Sequence, residues 1–455
     1  MSDLREIVLE ALLLHDKGEF ADKIIKSILD KYSYLERFER SFINRVFTGT
    51  VERKLTLDYT INQFSSVKVN KQKPVIRAIL RMSVYQLMFM DSVPDRAVIN
   101  EAVKLAKKKK FNGLSGFVNG VLRKIAAEKD TIQYPDKEKD SVKYLSVKYS
   151  TPEWLCEHFI KETDFSTAEK MLANSITNRP VIIRTNISKI SPKALQETLE
   201  KEGVTVKEIA SSEYELDKDI DYSNSFVISD FDGMNSLESF NEGLYCVQDI
   251  SSQNVIRDKD LSVNEEIINH IKKAKVVVDV CAAPGGKTCH IADLLDYYKN
   301  DNCKVISRDL SDSKVDKIYE NVDRCGFDNV SLEVQDALVS DEKLIEQADI
   351  VIADLPCSGL GVIGRKADIK YRVEQDELCK LAELQRDILT VVSQYVKKGG
   401  LLIYSTCTVN KLENVDNVNW ILSSLPFDQL GKEKQLLNTN ELNDGFFISR
   451  FIKHG

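Results

Sequence analysis

The chain has 455 residues, 43% of them apolar and 29% charged, with a formal net charge of −8 and nine cysteines. Such a length predicts about two to four domains. The absence of an apolar run of about 18 residues excludes a membrane-spanning helix, and the charged opening MSDLREIVLE excludes a secretory signal. Cysteine occurs an odd number of times, without the paired spacing of a zinc site or a disulfide framework, which points to a reducing, cytoplasmic setting and no bound metal.

The charge is uneven along the chain. Residues 1–130 carry a net +8 and the remainder −16. A basic module joined to an acidic one suggests a polyanionic partner for the first, although the run Lys107–Lys110 taken alone reads as solvated helix surface. In this region EIVLEALLL, ADKIIKSILDKY, ERSFINRVFTGTVERKLTLDYTI and PVIRAILRMSVYQLMFM place apolar residues at steps of three and four. AVINEAVKLAKK and GFVNGVLRKIA complete a predicted all-helical bundle over 1–130. Pro74 suits a helix start, Pro94 a break or a new start, and Gly113 and Gly116 bracket a turn. TIQYPDKEKD (131–140) reads as a linker. A small α+β domain is expected over 141–240, with a helix in STPEWLCEHFIKE, a strand in PVIIRTN, a helix in SPKALQETLEKEG and short strands around 205–247.

From 275 onward short β-branched runs alternate with helical patterns: KVVVDV, KVIS, VSLEV, DIVIAD and LLIYST. That alternation predicts an α/β domain over 241–455, a parallel sheet with helices on both faces, whose ligands bind at the carboxyl ends of the strands. The residues just beyond each strand are therefore informative. The loop CAAPGGKT comes after the first, Arg308-Asp309 after the second, Gln335-Asp336 after the third, Asp354 and LPCSG after the fourth, and Cys407 after the fifth. Any one strand-end acid could simply cap the next helix, and any one cysteine could be packing. Five such features on one rim are harder to assign to chance.

The ending GGKT suggests a phosphate-binding loop, but the glycine that loop requires falls at Cys281, and Pro284 has no N–H to offer a phosphate. A glycine turn followed by an acid at the next strand end instead fits an adenosine site, in which backbone approaches the ligand and a carboxylate takes the ribose hydroxyls. Asp309 lies 23 residues after Gly286, near the spacing of about 20 expected. Asp336 can reach the adenine amino group. With no G-x-G-x-x-G fingerprint, S-adenosylmethionine fits better than a dinucleotide. Two cysteines beside a methyl donor suggest methylation of a pyrimidine at carbon-5, where a thiolate adds to C6 and makes C5 nucleophilic. The thiolate needs positive potential, to which Lys287 can contribute. Asp354, protonated or hydrogen-bonded, can stabilise charge developing at N3.

The blocks DVCAAPGGKT, ADLPCSGLG and YSTCTVNKLENV resemble the signatures of the NOL1/NOP2/Sun RNA cytosine-5 methyltransferases, as do EGLYCVQDISSQ (242–253) and DGFFISR (444–450). This resemblance covers roughly 150–452, while residues 1–130 resemble the helical RNA-binding domain of the antitermination factor NusB. That fusion is typical of bacterial family members that modify 16S ribosomal RNA. The resemblance implies a Rossmann-like S-adenosylmethionine-dependent domain and an RNA partner; a monomer and no membrane are expected. It implies Cys407 as the nucleophile and Cys357, of the Pro-Cys block, as the residue assisting proton removal or release. It implies cofactor contacts from Cys281, Ala282, Ala283, Pro284, Gly285, Gly286, Lys287, Asp309, Lys314, Asp336 and Asp354, with Asp354 and Lys287 also beside the chemistry. Leu355 departs from the alanine common in the family, and its bulk is expected to reshape the pocket. Cys281 and Cys246 otherwise read as packing residues. Candidate phosphate contacts are Lys107–Lys110, Arg77 and Arg81. The alternatives are the same chemistry on transfer RNA or another ribosomal site, a DNA-type enzyme using Cys357 as nucleophile, and a non-catalytic RNA-binding antitermination factor.

Overall fold

The computed structural model describes residues 4–209 and 216–455. The chain forms two compact units. One comprises the residues up to Ile176 together with Ile363–Val373; the other comprises Thr177–Val362 and Glu374–Gly455. Among the described residues no helix is long and apolar enough to cross a membrane.

The first unit is helical: α1 (Leu4–His15), α2 (Ala21–Lys31), α3 (Arg37–Glu52), α4 (Lys54–Phe64), α5 (Pro74–Phe89), α6 (Asp95–Lys108), α7 (Ser115–Glu128), α8 (Ser141–Tyr149), α9 (Glu153–Glu162) and α10 (Phe165–Asn174). The apolar positions read from the sequence form one core, including Leu9, Phe47, Leu57, Ile79, Leu105 and Leu122. Pro74 occupies the first turn of α5, where its missing N–H costs nothing, and Pro94 precedes α6. The segment expected to run unbroken through residue 61 divides at Arg53. Its guanidinium lies 4.2 Å over the Phe89 ring and donates to the Ile176 carbonyl, so a tertiary contact overrides helical periodicity. Helices α8–α10, read in the sequence as part of the second module, cluster with this unit. Ile363–Val373 does so too: buried Lys370 donates to the Tyr149 carbonyl at 3.2 Å and the Tyr371 hydroxyl to the Glu52 carbonyl at 2.7 Å.

The second unit holds two sheets. The smaller has order β2-β3-β1-β4, antiparallel throughout, with β1 (Val181–Thr185), β2 (Thr205–Glu208), β3 (Ser225–Ser229) and β4 (Tyr245–Val247). Helix α11 (Pro192–Lys201) is capped by Ser191 and packs Leu195 and Leu199 beside Ile183, Phe226 and Tyr245. Of the strand region expected at 205–247, residues 210–215 lie outside the described residues.

Single turns α12 (Glu238–Asn241) and α13 (Ile250–Gln253) and helix α14 (Leu261–Lys273) lead to the larger sheet. Its strands are β5 (Val276–Asp279), β6 (Lys304–Asp309), β7 (Val330–Val334), β8 (Ala348–Asp354), β9 (Val396–Thr406), β10 (Phe427–Gln429), β11 (Lys434–Leu436) and β12 (Phe446–Lys453). Between them run α15 (Gly286–Tyr297), α16 (Asp312–Cys325), α17 (Glu377–Val392) and α18 (Val415–Ser424). The order is β10-β12-β9-β8-β5-β6-β7, with β11 also on β12. Strands β5 to β9 are parallel, as expected. Val277, Val305, Ile350 and Ile403 fill one core, and Val278, Ile306, Val351 and Leu402 the other, the two-residue alternation of a sheet covered on both faces.

The departure from the all-parallel expectation is β12, antiparallel to β9. Arg450 in mid-strand disguised it. The guanidinium is buried, pairs with Asp258 at 2.7 Å and donates to the carbonyls of Asn254 and Arg257 at 2.6 and 2.8 Å.

Candidate active site at the carboxyl rim of the large sheet

The chain builds β5, steps outward to β6 and β7, then crosses to β8 on the other side of β5. That reversal opens a crevice beyond the carboxyl ends of β5, β6 and β8. The glycine loop turns there. Gly285 has φ +100°, which favours glycine, and a Cβ on it would lie 3.2 Å from Ile318 Cγ2, close enough to press on that side chain. The turn closes with Gly285 N–H donating to the Ala282 carbonyl at 2.7 Å and launches α15. Pro284 accepts from Asn321 Nδ2 at 2.9 Å through its carbonyl. Cys281 packs beneath the turn, where burial, and then the acids around it, push its thiol up.

Asp309 closes β6 and organises the loop. Its Oδ2 accepts from Ala283 N–H at 2.9 Å, and its Oδ1 accepts from Leu310 N–H and Lys314 Nζ, both at 2.8 Å. Asp336 lies half-buried two residues beyond β7, accepting from Leu338 N–H at 2.9 Å. Lys287, in the first turn of α15, reaches Asp354 at the end of β8: Nζ is 2.5 Å from Oδ2 and 3.2 Å from Ser252 Oγ, and it lies over the Phe446 ring at 5.3 Å. Asp354 Oδ1 accepts from Ser405 Oγ at 2.7 Å. Asp354 is thus hydrogen-bonded and ion-paired, one of the two conditions the sequence offered for it.

The two cysteines meet. Cys357 Sγ and Cys407 Sγ are 3.1 Å apart at the ends of neighbouring β8 and β9. The hydrogen bond with Cys407, and then burial, push the Cys357 thiol well above its ordinary value, so Cys357 holds its proton. Leu355, in contrast, is 3% exposed and packed in the core with Val280 and Ala353. The expectation that its bulk reshapes the pocket is corrected: the side chain is spent on the core.

Three features were not singled out in the sequence. Glu413 is fully buried and accepts from Ser358 N–H (3.0 Å), Ser358 Oγ (2.5 Å), Gln385 Nε2 (2.9 Å) and Asn410 Nδ2 (2.9 Å), tying the loop of Cys357 to that of Cys407. Asp279 closes β5, accepts from Thr288 Oγ1 at 2.8 Å and has no partner for Oδ1 among the described residues; burial raises its pKa to about 7. Gln248, from the 242–253 block, reaches the Gly286 carbonyl at 3.3 Å.

Outside the rim, the cations offered as phosphate contacts are largely engaged. Arg81 is buried and grips Asp58 at 2.6 and 2.7 Å; Arg77 pairs with Asp16 at 2.9 Å; Lys108 and Lys109 pair with Glu6 at 2.6 and 2.8 Å. Arg81 therefore reads as a residue of the helical core.

Residues 267–452 match the model of the family described as 16S rRNA methyltransferase RsmB/F, residues 2–127 the NusB family, and residues 151–216 the ferredoxin-like domain of RsmF/B-like methyltransferases. The Bacillus subtilis protein named probable ribosomal RNA small subunit methyltransferase B is 35% identical over 100% of this chain and 99% of its own length. The chain belongs to the RsmB/F methyltransferase family. The crystal structure of PH0851 shares the fold, with a TM-score of 0.76 and 24% identity over 100% of this chain and 99% of that one. So does NSun6 from Pyrococcus horikoshii, solved with the S-adenosylmethionine analogue SFG, with a TM-score of 0.52 and 21% identity over 67% and 98%.

The cofactor of this RsmB/F member is S-adenosylmethionine. The residues fit it: a glycine turn that brings backbone close, a strand-end carboxylate at Asp309, and a buried Asp279 oxygen with no protein partner among the described residues.

Proposed function

We propose that this protein methylates carbon-5 of a cytosine in small-subunit ribosomal RNA through a transient bond from Cys407 to C6. The observation that carries the reading is the 3.1 Å approach of Cys357 and Cys407, beside the Lys287–Asp354 pair, at the ends of β8, which neighbours the β5 strand of the glycine turn, and of β9 beyond it. The basic module at 1–130, the ferredoxin-like module and the catalytic module form the proposed division of labour, the first two holding RNA.

S-adenosylmethionine supplies an electrophilic methyl group. Cys407, as thiolate, bonds to C6 of an unstacked cytosine, and the electron pair of the C5–C6 double bond moves toward C5 and the N3 side of the ring. Lys287, whose ammonium Asp354 and Ser252 hold in place, offsets the negative charge that develops on the N3 side of the ring. C5 then takes the methyl group. Cys357 gives its proton to the departing Cys407 sulfur and takes the C5 proton in its place, so the double bond is restored and both cysteines end as thiols. Glu413 holds both cysteine loops in register.

The test is a pair of variants. Cys407→Ala should abolish methyl transfer while retaining S-adenosylmethionine binding by calorimetry, and Cys357→Ala should accumulate a protein–RNA adduct seen as a slow band on a denaturing gel. Full turnover by Cys407→Ala refutes the assignment. Exchange of the two phenotypes supports the second reading, with Cys357 as the nucleophile of a Pro-Cys motif. Mapping 5-methylcytosine in ribosomal and transfer RNA from cells with and without the protein separates the substrates.

A further inference from the structure

A second group of thiols lies apart from the reacting pair. Cys246 comes from β4, Cys289 from the first turn of α15 and Cys325 from the last turn of α16. All three are buried, and their sulfurs lie within 4.8 Å of one another, with Cys246 and Cys325 only 3.5 Å apart. The Asn186 amide faces the group. Its Nδ2 donates to the Gly243 carbonyl at 2.7 Å and to Cys325 Sγ at 3.5 Å, and Cys246 Sγ lies 3.8 Å from both Nδ2 and Oδ1. Arg324 Nη2 is 3.9 Å from the same sulfur, and Arg184 is ion-paired with buried Asp293 at 2.9 Å.

A single buried cysteine is ordinary packing. Three that converge on one point, beside the Asn186 amide and the Arg324 guanidinium, make a donor set with a countercharge already in place. Zn–S bonds of about 2.3 Å in tetrahedral geometry put sulfurs about 3.8 Å apart, so the observed spacing needs sub-ångström adjustment to close on one ion. Thiolates exclude magnesium and calcium, which take oxygen ligands, and an iron–sulfur cluster takes about four cysteines where three are present.

We propose that Cys246, Cys289 and Cys325 bind one thiophilic metal ion, represented here by zinc, with a water as fourth ligand. Binding exchanges three thiol protons for one Zn²⁺ and leaves one net negative charge, which Arg324 offsets. The role is structural. The ion fastens β4, whose strand leads into Gln248 at the cofactor turn, to α15, which starts in that turn, and to α16, which packs Ile318 against Gly285.

The full-length protein, purified without chelator or affinity metal and incubated with excess zinc before desalting, should hold about one zinc per chain by mass spectrometry of the metal. Chelation should lower the melting temperature, and added zinc should restore it. Cobalt(II) in place of zinc should give sulfur-to-metal charge-transfer absorption. Cys246→Ser/Cys325→Ser should lose both the bound metal and that absorption, whereas Cys357→Ala/Cys407→Ala should keep them, which excludes the catalytic thiols as the ligands. If the first double variant fails to fold, the zinc content of the wild type and its cobalt spectrum decide alone. A wild-type chain that takes up no zinc, a Cys246–Cys325 disulfide in its place, or metal lost with Cys357 and Cys407 overturns the proposal.

Discussion

Glu413→Ala should detach the two cysteine loops from each other. The carboxylate has no solvent access and takes four donors: Ser358 N–H and Gln385 on Oε2, Ser358 Oγ and Asn410 on Oε1. Hydrogen bonds to a charged acceptor contribute about 1.5–3 kcal/mol each, and a buried donor left alone costs about 1–3 kcal/mol. These terms do not add fully, because Ser358 Oγ can turn to Thr408 Oγ1, already 2.7 Å away, and water can enter the space. The expected loss is about 3–5 kcal/mol, the range for removing one partner of a buried charged network. Glu413→Gln keeps the volume and one acceptor oxygen but turns an NH₂ toward two donors, so it should lose about 2 kcal/mol. Urea unfolding reads both losses as a lower midpoint at unchanged slope. Methyl transfer under saturating cofactor should fall in the same order, with cofactor affinity nearly constant. An alanine variant within about 0.5 kcal/mol of wild type, turning over normally, would refute the claim that this carboxylate holds the cysteines together.

Gly285→Ala forces a side chain into φ +100° and against Ile318, which should cost about 1–3 kcal/mol and weaken S-adenosylmethionine binding by calorimetry; an unchanged affinity and melting temperature would contradict the close approach. Leu355→Ala removes a core side chain and should cost about 2–5 kcal/mol in urea unfolding while leaving cofactor affinity intact; a shift in affinity without a stability loss would return Leu355 to the pocket. Asp279 has its pKa raised to about 7 by burial, so in the cofactor-free protein it stays protonated where the unfolded chain is ionised. Its contribution is full below about pH 4 and is lost as pH rises toward 7. Asp279→Asn should therefore gain stability relative to wild type between pH 5 and pH 8, flattening the pH dependence of the melting temperature; parallel curves would refute it.

Legibility in the sequence tracked how locally each feature is encoded. Strands β5, β6, β8 and β9 stood out because Val, Ile and Leu on successive residues suit a sheet covered on both faces. The rim residues stood out because each closes such a strand, so Asp309, Asp354 and Cys407 could be placed from sequence alone. Strand β12 stayed hidden because the group that makes Arg450 tolerable, Asp258, lies far away in the chain. The break at Arg53 has the same origin in a distant aromatic ring. Glu413 sits inside the YSTCTVNKLENV block, yet its four donors come from three separate segments, and only their convergence distinguishes it from a surface acid. The sulfur cluster is the extreme case. Metal-site reading by spacing presumes paired ligands close together in the chain, whereas Cys246, Cys289 and Cys325 are brought together only when β4 and the cofactor helix α15 meet the end of α16. The sequence expectation of a metal-free protein rested on that presumption, and zinc bound to those three sulfurs would show that the presumption, rather than the cysteine count, was at fault.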